Sequence, residues 1–145
     1  MKFYLAAPFF TADQQYVLDQ IEEKAATLGL QVFSPRKECL CPPNAPMEQR
    51  VQAFEMNCKG ILEADFVLAR IDDFDPGTVW EIGFAYAKER PVYCFTTVQG
   101  RGLNLMLSQS AKGFLREIPS IFRFLDDMTM NGTDKETQAW KENII

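Results

Sequence analysis

Short apolar runs alternate along this chain with longer stretches of helical spacing. Phe3 to Ala7 is an unbroken apolar run of strand length, and Asp13 to Leu28 then sets Tyr16, Val17, Ile21, Ala25 and Leu28 at helical spacing until Gly29 stops it. Leu30 to Phe33 reads as a second strand, closed by Ser34-Pro35-Arg36 and a loop whose Pro42, Pro43 and Pro46 exclude a helix. A loop of that kind more often covers a site than builds a core. Helical spacing returns from Met47 to Glu63 through Val51, Phe54, Cys58, Ile61 and Leu62. Phe66 to Ile71 follows, apolar without alternation, as expected of a strand buried on both faces.

Asp72-Asp73-Phe74-Asp75-Pro76-Gly77 reads as a turn, Thr78 to about Glu89 as a helix, and Val92 to Phe95, after Pro91, as a strand. Leu103 to Ala111 begins another helix, Gly113 to Glu117 is a last edge strand, and Ile118 to Met128 is again apolar at helical spacing. Asn131-Gly132-Thr133 reads as a turn before a polar tail that ends in Ile144-Ile145. Strands and helices in regular alternation predict a parallel sheet covered by helices on both faces, in one domain over residues 1–145.

Composition narrows the chemistry. The 145 residues are 47% hydrophobic and 24% charged, as in ordinary globular chains. A net charge of -5 leaves no excess of cations to displace counterions from a nucleic-acid polymer. No apolar run reaches membrane-spanning length and the first residues lack a signal-peptide layout, so a cytoplasmic protein is expected. The chain has no histidine, which removes the commonest general base, Ser-His-Asp hydrolysis and any Cys/His zinc site. Cys39, Cys41, Cys58 and Cys94 form no Cys-x-x-Cys pair and read as reduced structural thiols. Acid-base or nucleophilic work must fall mainly to carboxylates.

Open parallel sheets bind ligands outside the carboxyl ends of their strands. That rule selects Ala6 to Thr11, Ser34 to Pro46, Asp72 to Gly77 and Thr96 to Leu103. In the third segment an acidic turn feeds a helix expected to carry Glu81 in its first turn, where the helix dipole favours the ionised form. On spacing alone, Asp72, Asp73 and Asp75 read first as residues that solvate a turn and cap a helix; the same loop could also hold Mg²⁺ against a phosphate, but no Gly-rich phosphate loop supports that.

The segment Asp75-Pro76-Gly77-Thr78-Val79-Trp80-Glu81-Ile82-Gly83-Phe84-Ala85 closely resembles the signature of the nucleoside 2-deoxyribosyltransferase family. Tyr4-Leu5-Ala6-Ala7-Pro8-Phe9-Phe10, Phe33-Ser34-Pro35-Arg36 and Asn104-Leu105-Met106 resemble further family motifs in the same order. The resemblance implies a flavodoxin-like, doubly wound five-stranded parallel sheet. It implies that Glu81 is the nucleophile at the anomeric carbon of deoxyribose and that Asp75 contacts and protonates the leaving base. It further implies that Tyr4 and Phe10 orient the nucleophile and pack on substrate. Asn104, with Met106 beside it, is implied to reach the sugar 5'-hydroxyl in a neighbouring subunit's site, so that a homo-oligomer is expected. The partners implied are a small-molecule deoxynucleoside and a free nucleobase, with no metal and no organic cofactor.

Several residues have plainer readings. Tyr4, Phe9 and Phe10 fit a core, Arg36 fits an ion pair with Glu38, Met106 fits simple packing, and Gly83 fits close approach of its helix to the sheet. Asn57 stands where several relatives carry aspartate, although an amide still hydrogen-bonds a sugar hydroxyl. The Cys39 to Pro46 loop matches no motif, and Ile144-Ile145 lacks the aromatic terminus of some members. Two other functions fit the same chain. One is a hydrolase of the same superfamily acting on deoxynucleoside 5'-monophosphates, against which Asn104 speaks. The other is a non-catalytic nucleotide-binding module, for which a nucleophile at Glu81 is superfluous.

Overall fold

The computed structural model describes residues 1–132 of the chain. Five strands, β1 (Lys2–Ala6), β2 (Gln31–Phe33), β3 (Phe66–Arg70), β4 (Val92–Phe95) and β5 (Gly113–Leu115), form one sheet in the order β2-β1-β3-β4-β5. Every pairing is parallel. The chain therefore winds outward in one direction from β1 to β2 and in the other from β3 to β5, which makes the gap between β1 and β3 the switch point. This is the doubly wound α/β fold that the alternation predicts.

Strand alternation divides the interior into two cores. Phe3, Leu5, Phe66, Leu68, Tyr93 and Phe95 face α1 (Ala12–Thr27) and α6 (Ile118–Asn131). Tyr4, Ala6, Val67, Ala69 and Cys94 face the other way, towards α3 (Met47–Glu63), α4 (Pro76–Ala87) and α5 (Leu105–Ser110). All five residues of β3 are buried, as its lack of alternation requires.

Local chemistry sets the helix ends. Thr11 and Gln14 form a reciprocal capping box at the start of α1. Asp75 caps α4 with Pro76 at its first position. Gly132 ends α6 in the left-handed conformation, φ 64°. The segment after β2 differs from expectation: Pro35 starts a single helical turn, α2 (Pro35–Glu38), because its fixed φ suits a first helical position. The prolines beyond it keep the chain irregular up to α3.

Two expectations about packing are corrected. Arg36 does not pair with Glu38; its guanidinium reaches Glu22 at 2.7 Å and Asp19 at 2.6 Å, clamping α2 to α1. Gly83 does not approach the sheet, since a Cβ there would meet nothing within 4 Å. The glycine of close approach is Gly60 in α3, where a Cβ would lie 2.9 Å from the Phe33 ring. No helix among the described residues is long and apolar enough to cross a membrane. The polar tail and its Ile144-Ile145 terminus lie outside the described residues.

Candidate active site

Glu81 occupies the sixth position of α4, on the side that packs against β1 and β3. No acidic residue falls in the first turn of that helix, so the expected help from the helix dipole, which fades within one turn, is not available to it. Burial governs instead. It raises the Glu81 carboxyl from its ordinary value to about 7, with the Tyr4 hydroxyl pulling it down and the charge of Asp75 pushing it further up. The expectation that Glu81 is held in its ionised form by the dipole is thus overturned by desolvation.

Tyr4 is fully buried on β1 and stacks on Phe33 with centroids 5.2 Å apart. The ring is a core residue, as its plainer reading expected, and the hydroxyl faces Glu81. Neither the Tyr4 hydroxyl nor Glu81 Oε2 completes a hydrogen bond of good geometry, although both are buried. The two groups are neighbours, and Glu81, unlike Tyr4, also lines a cavity wall, where a ligand can supply the partner its buried oxygen lacks.

That wall belongs to two adjoining cavities, of about 280 and 270 Å³, which share Asn57, Gly77 and Glu81. The first is closed by Phe54 and Trp80, whose rings lie 5.3 Å apart. The second is bounded by Ala7, Pro8 and Phe10 from the first loop, Cys39 and Cys41 from the proline-rich loop, and Asp75. A larger open groove of about 570 Å³ beside Tyr86, Arg90 and Lys112 lies at the amino ends of β4 and β5, the end of the sheet where ligands do not usually bind.

The three aspartates of the acidic turn separate into different tasks. Asp72 is buried; burial raises its pKa, but hydrogen bonds from Thr96, Thr97 and Arg70 outweigh that and hold it below the usual carboxylate range. Asp73 accepts from Gln14 at 2.9 Å and ties the turn to α1. Asp75 uses Oδ2 to cap α4, accepting from the Thr78 amide at 2.9 Å and the Thr78 hydroxyl at 3.0 Å. Phe74 between them adopts φ 47°, a left-handed conformation costly for a bulky residue, which turns the chain so that Asp75 meets the helix start. Among the described residues no cluster of three or more His, Cys, Asp or Glu can hold a metal ion.

The structure brings Phe10, Asn57, Asp75 and Glu81 around one cavity, with Tyr4 buried behind Glu81. It does not bring Asn104 or Met106 there. Asn104 caps α5 by accepting from the Leu107 amide at 2.9 Å, and Leu105 and Met106 beside it are 62% and 72% exposed. Cys39, Cys41, Phe54 and Trp80 were not singled out from the sequence as site residues. The proline-rich composition around the two cysteines was the only signal, and it pointed to the loop without naming a residue.

A half-buried carboxyl on the helix after β3, which packs against both strands of the switch point in a 2-1-3-4-5 sheet, lies where doubly wound α/β proteins bind small ligands. The sequence model of the nucleoside 2-deoxyribosyltransferase family matches residues 3–139, and the chain belongs to that family, whose members act on the glycosidic bonds of nucleosides. A 2-deoxyribosyltransferase from the psychrotolerant bacterium Bacillus psychrosaccharolyticus is similar in structure, with a TM-score of 0.75 and 30% identity over 90% of this chain and 91% of that one. A conserved protein from Enterococcus faecalis V583 shares the fold at a TM-score of 0.67 and 22% identity, covering 88% and 98% of the two chains. So does the Clostridium botulinum CMP N-glycosidase BcmB, at 0.61 and 15%, covering 90% and 100%. A comparison with curated protein sequences finds no match.

Proposed function

We propose that this protein is a nucleoside 2-deoxyribosyltransferase that exchanges the base of a 2'-deoxynucleoside through a covalent deoxyribosyl ester on Glu81. The observation that carries the reading is the half-buried Glu81 at the junction of two cavities, its Oε2 enclosed without a hydrogen bond of good geometry, beside Tyr4 and Asp75. In the first step a Glu81 oxygen attacks C1' as the N-glycosidic bond breaks. The bonding pair leaves with the base, to which Asp75 relays a proton taken up from water. In the second step a nitrogen of the incoming base attacks C1', the ester bond breaks, Glu81 regains its carboxylate, and the base proton leaves through Asp75 to water. Two displacements at one carbon retain its configuration.

The kind of substrate follows from charge. No lysine or arginine lines either cavity among the described residues, whereas a 5'-phosphate calls for cationic partners. That favours a free 5'-hydroxyl over a nucleotide. Asn104, Leu105 and Met106 stand exposed at the start of α5, while Phe54 and Trp80 leave an apolar rim half-exposed at the cavity mouth. The reading places the Asn104 amide of a second copy over that mouth, in a homo-oligomer with shared sites.

The test is to incubate the protein with deoxyinosine, thymidine or deoxyuridine monophosphate, with and without adenine, and to separate the products chromatographically. Deoxyadenosine formed from the nucleosides supports the transferase. Free base released only from the monophosphate identifies a nucleotide hydrolase instead, and no turnover of any substrate points to a binding module.

A further inference from the structure

Asn57 sits half-buried on α3 at the junction of the two cavities, next to Glu81. Its carbonyl oxygen, Oδ1, accepts a hydrogen bond from the Cys39 thiol of the proline-rich loop at 2.6 Å. Its amide nitrogen donates to no described residue. An amide has a donor end and an acceptor end of nearly equal shape, so only its partners decide which end faces a ligand. A thiol that keeps its proton favours this orientation, because its S–H donates to Oδ1, whereas the turned amide offers an N–H to a sulfur that accepts only weakly. Cys39 does keep its proton: burial and the nearby Glu81 push its pKa up to about 11.

The second cavity is the one suited to a base. Ala7, Pro8, Phe10 and Pro35 supply the apolar lining of its wall. Asp75, the proton donor of the proposed reaction, lines the same cavity. A donor placed in that wall selects between bases that present a carbonyl and bases that present an amine at the same position, because the wrong pairing leaves two donors facing each other.

We propose that Cys39 is a positioning residue that holds the Asn57 amide with its N–H₂ group toward the Glu81 cavity, and that this donor makes the site prefer oxo-bases over amino-bases. An aspartate at this place presents only acceptors, so the same position would then favour an exocyclic amine. The inference rests on the cavity being a nucleobase site, as the proposed function has it.

Two pairs of bases isolate the effect: hypoxanthine against adenine and uracil against cytosine, each pair differing in a carbonyl replaced by an amine at one ring carbon. Binding of the four free bases is measured calorimetrically on the intact protein, alongside kcat/KM for each as acceptor of the deoxyribosyl group of thymidine, with thymine leaving. The wild-type protein is expected to favour the oxo member of at least one pair. Cys39→Ala frees the amide to turn and should shrink that preference roughly fivefold, the worth of one hydrogen bond. Cys39→Ser restores a donor and should return the preference to the wild-type value, and Asn57→Asp should reverse it.

A structural role for Cys39 alone weakens all bases alike and leaves the ratio unmoved. An unchanged ratio in Cys39→Ala, a Cys39→Ser protein that behaves like Cys39→Ala, or no binding of any base overturns the proposal. Binding that shows the expected shifts without any base exchange keeps the proposal and removes the transferase reading. Exchange with an unmoved ratio does the reverse.

Discussion

Glu81 meets two opposed requirements. It must lose its proton to act as a nucleophile, yet its burial favours the protonated form and raises its pKa to about 7. The account therefore expects kcat/KM to rise with pH along a limb near 7. The neighbours give that limb a signature: Asp75→Asn removes a charge that pushes Glu81 up, so the limb should move to lower pH, while Tyr4→Phe removes the hydroxyl that pulls it down and should move it higher. Asp75→Asn should also slow base departure by roughly a hundredfold, as expected for loss of a general acid. A limb that stays in place in both variants, read from pH-rate profiles, assigns it to another group. Stability follows with a definite sign. A folded pKa raised above 4.5 gives a contribution that is complete below pH 4.5 and lost as pH rises through about 7. Glu81→Gln should leave denaturant stability unchanged near pH 4 and raise it near pH 8 by up to about 3 kcal/mol. Equal stability of the two proteins at both pH values would falsify the burial argument. The sequence motif identified Glu81 and Asp75 as the residues of interest. It left the protonation of Glu81 hidden, because burial is created by β1 and α4 meeting across about eighty residues of chain.

At the level of elements, β1 and α3 are coupled through one ring. Phe33 stacks on Tyr4, and Gly60 of α3 abuts the same ring, where a Cβ would lie 2.9 Å from its atoms. Gly60→Ala must displace Phe33 and with it Tyr4, and is expected to cost roughly 1–3 kcal/mol of stability. Gly83→Ala, with open space at its Cβ, should instead gain up to about 1 kcal/mol in the isolated chain from better helix propensity. Thermal unfolding of the pair checks this, and a reversed order of melting temperatures contradicts the packing described. The elements were readable because apolar period is local, and Met47–Glu63 begins and ends where its spacing says, whereas α4 starts two residues before the expected Thr78 and β5 stops two before Glu117. The role of each glycine was not, since close approach depends on which face of a helix meets a residue distant in sequence. The same holds for Arg36, whose partners Asp19 and Glu22 lie on α1 and not two residues away. The short helix at Pro35–Glu38 was masked by prolines that read as breakers, although a proline also opens a helix well.

For the whole molecule, the proposed site needs a second copy to supply Asn104. One chain carries a cavity without Asn104, and the same chain exposes Asn104, Leu105 and Met106 elsewhere. Mixing two inactive variants tests that arrangement. Asn104→Ala and Glu81→Ala chains, unfolded and refolded together, should regain part of the wild-type activity, because mixed oligomers pair an intact Glu81 with an intact Asn104. A fully active monomer in light scattering, or a mixture no more active than its parts despite subunit exchange, removes the shared site.

The most direct test of the account is the mass of the protein during turnover. A deoxynucleoside fluorinated at C2' slows formation and breakdown of an oxocarbenium-like state, so an ester intermediate accumulates when no acceptor base is present. Intact-mass measurement should then show one added fluorinated deoxyribosyl group per active chain. Peptide mapping should place it on Glu81, and added adenine should discharge it as the adenine nucleoside. An adduct on any other residue, or base exchange by a folded Glu81→Ala protein at near wild-type rate, contradicts the mechanism.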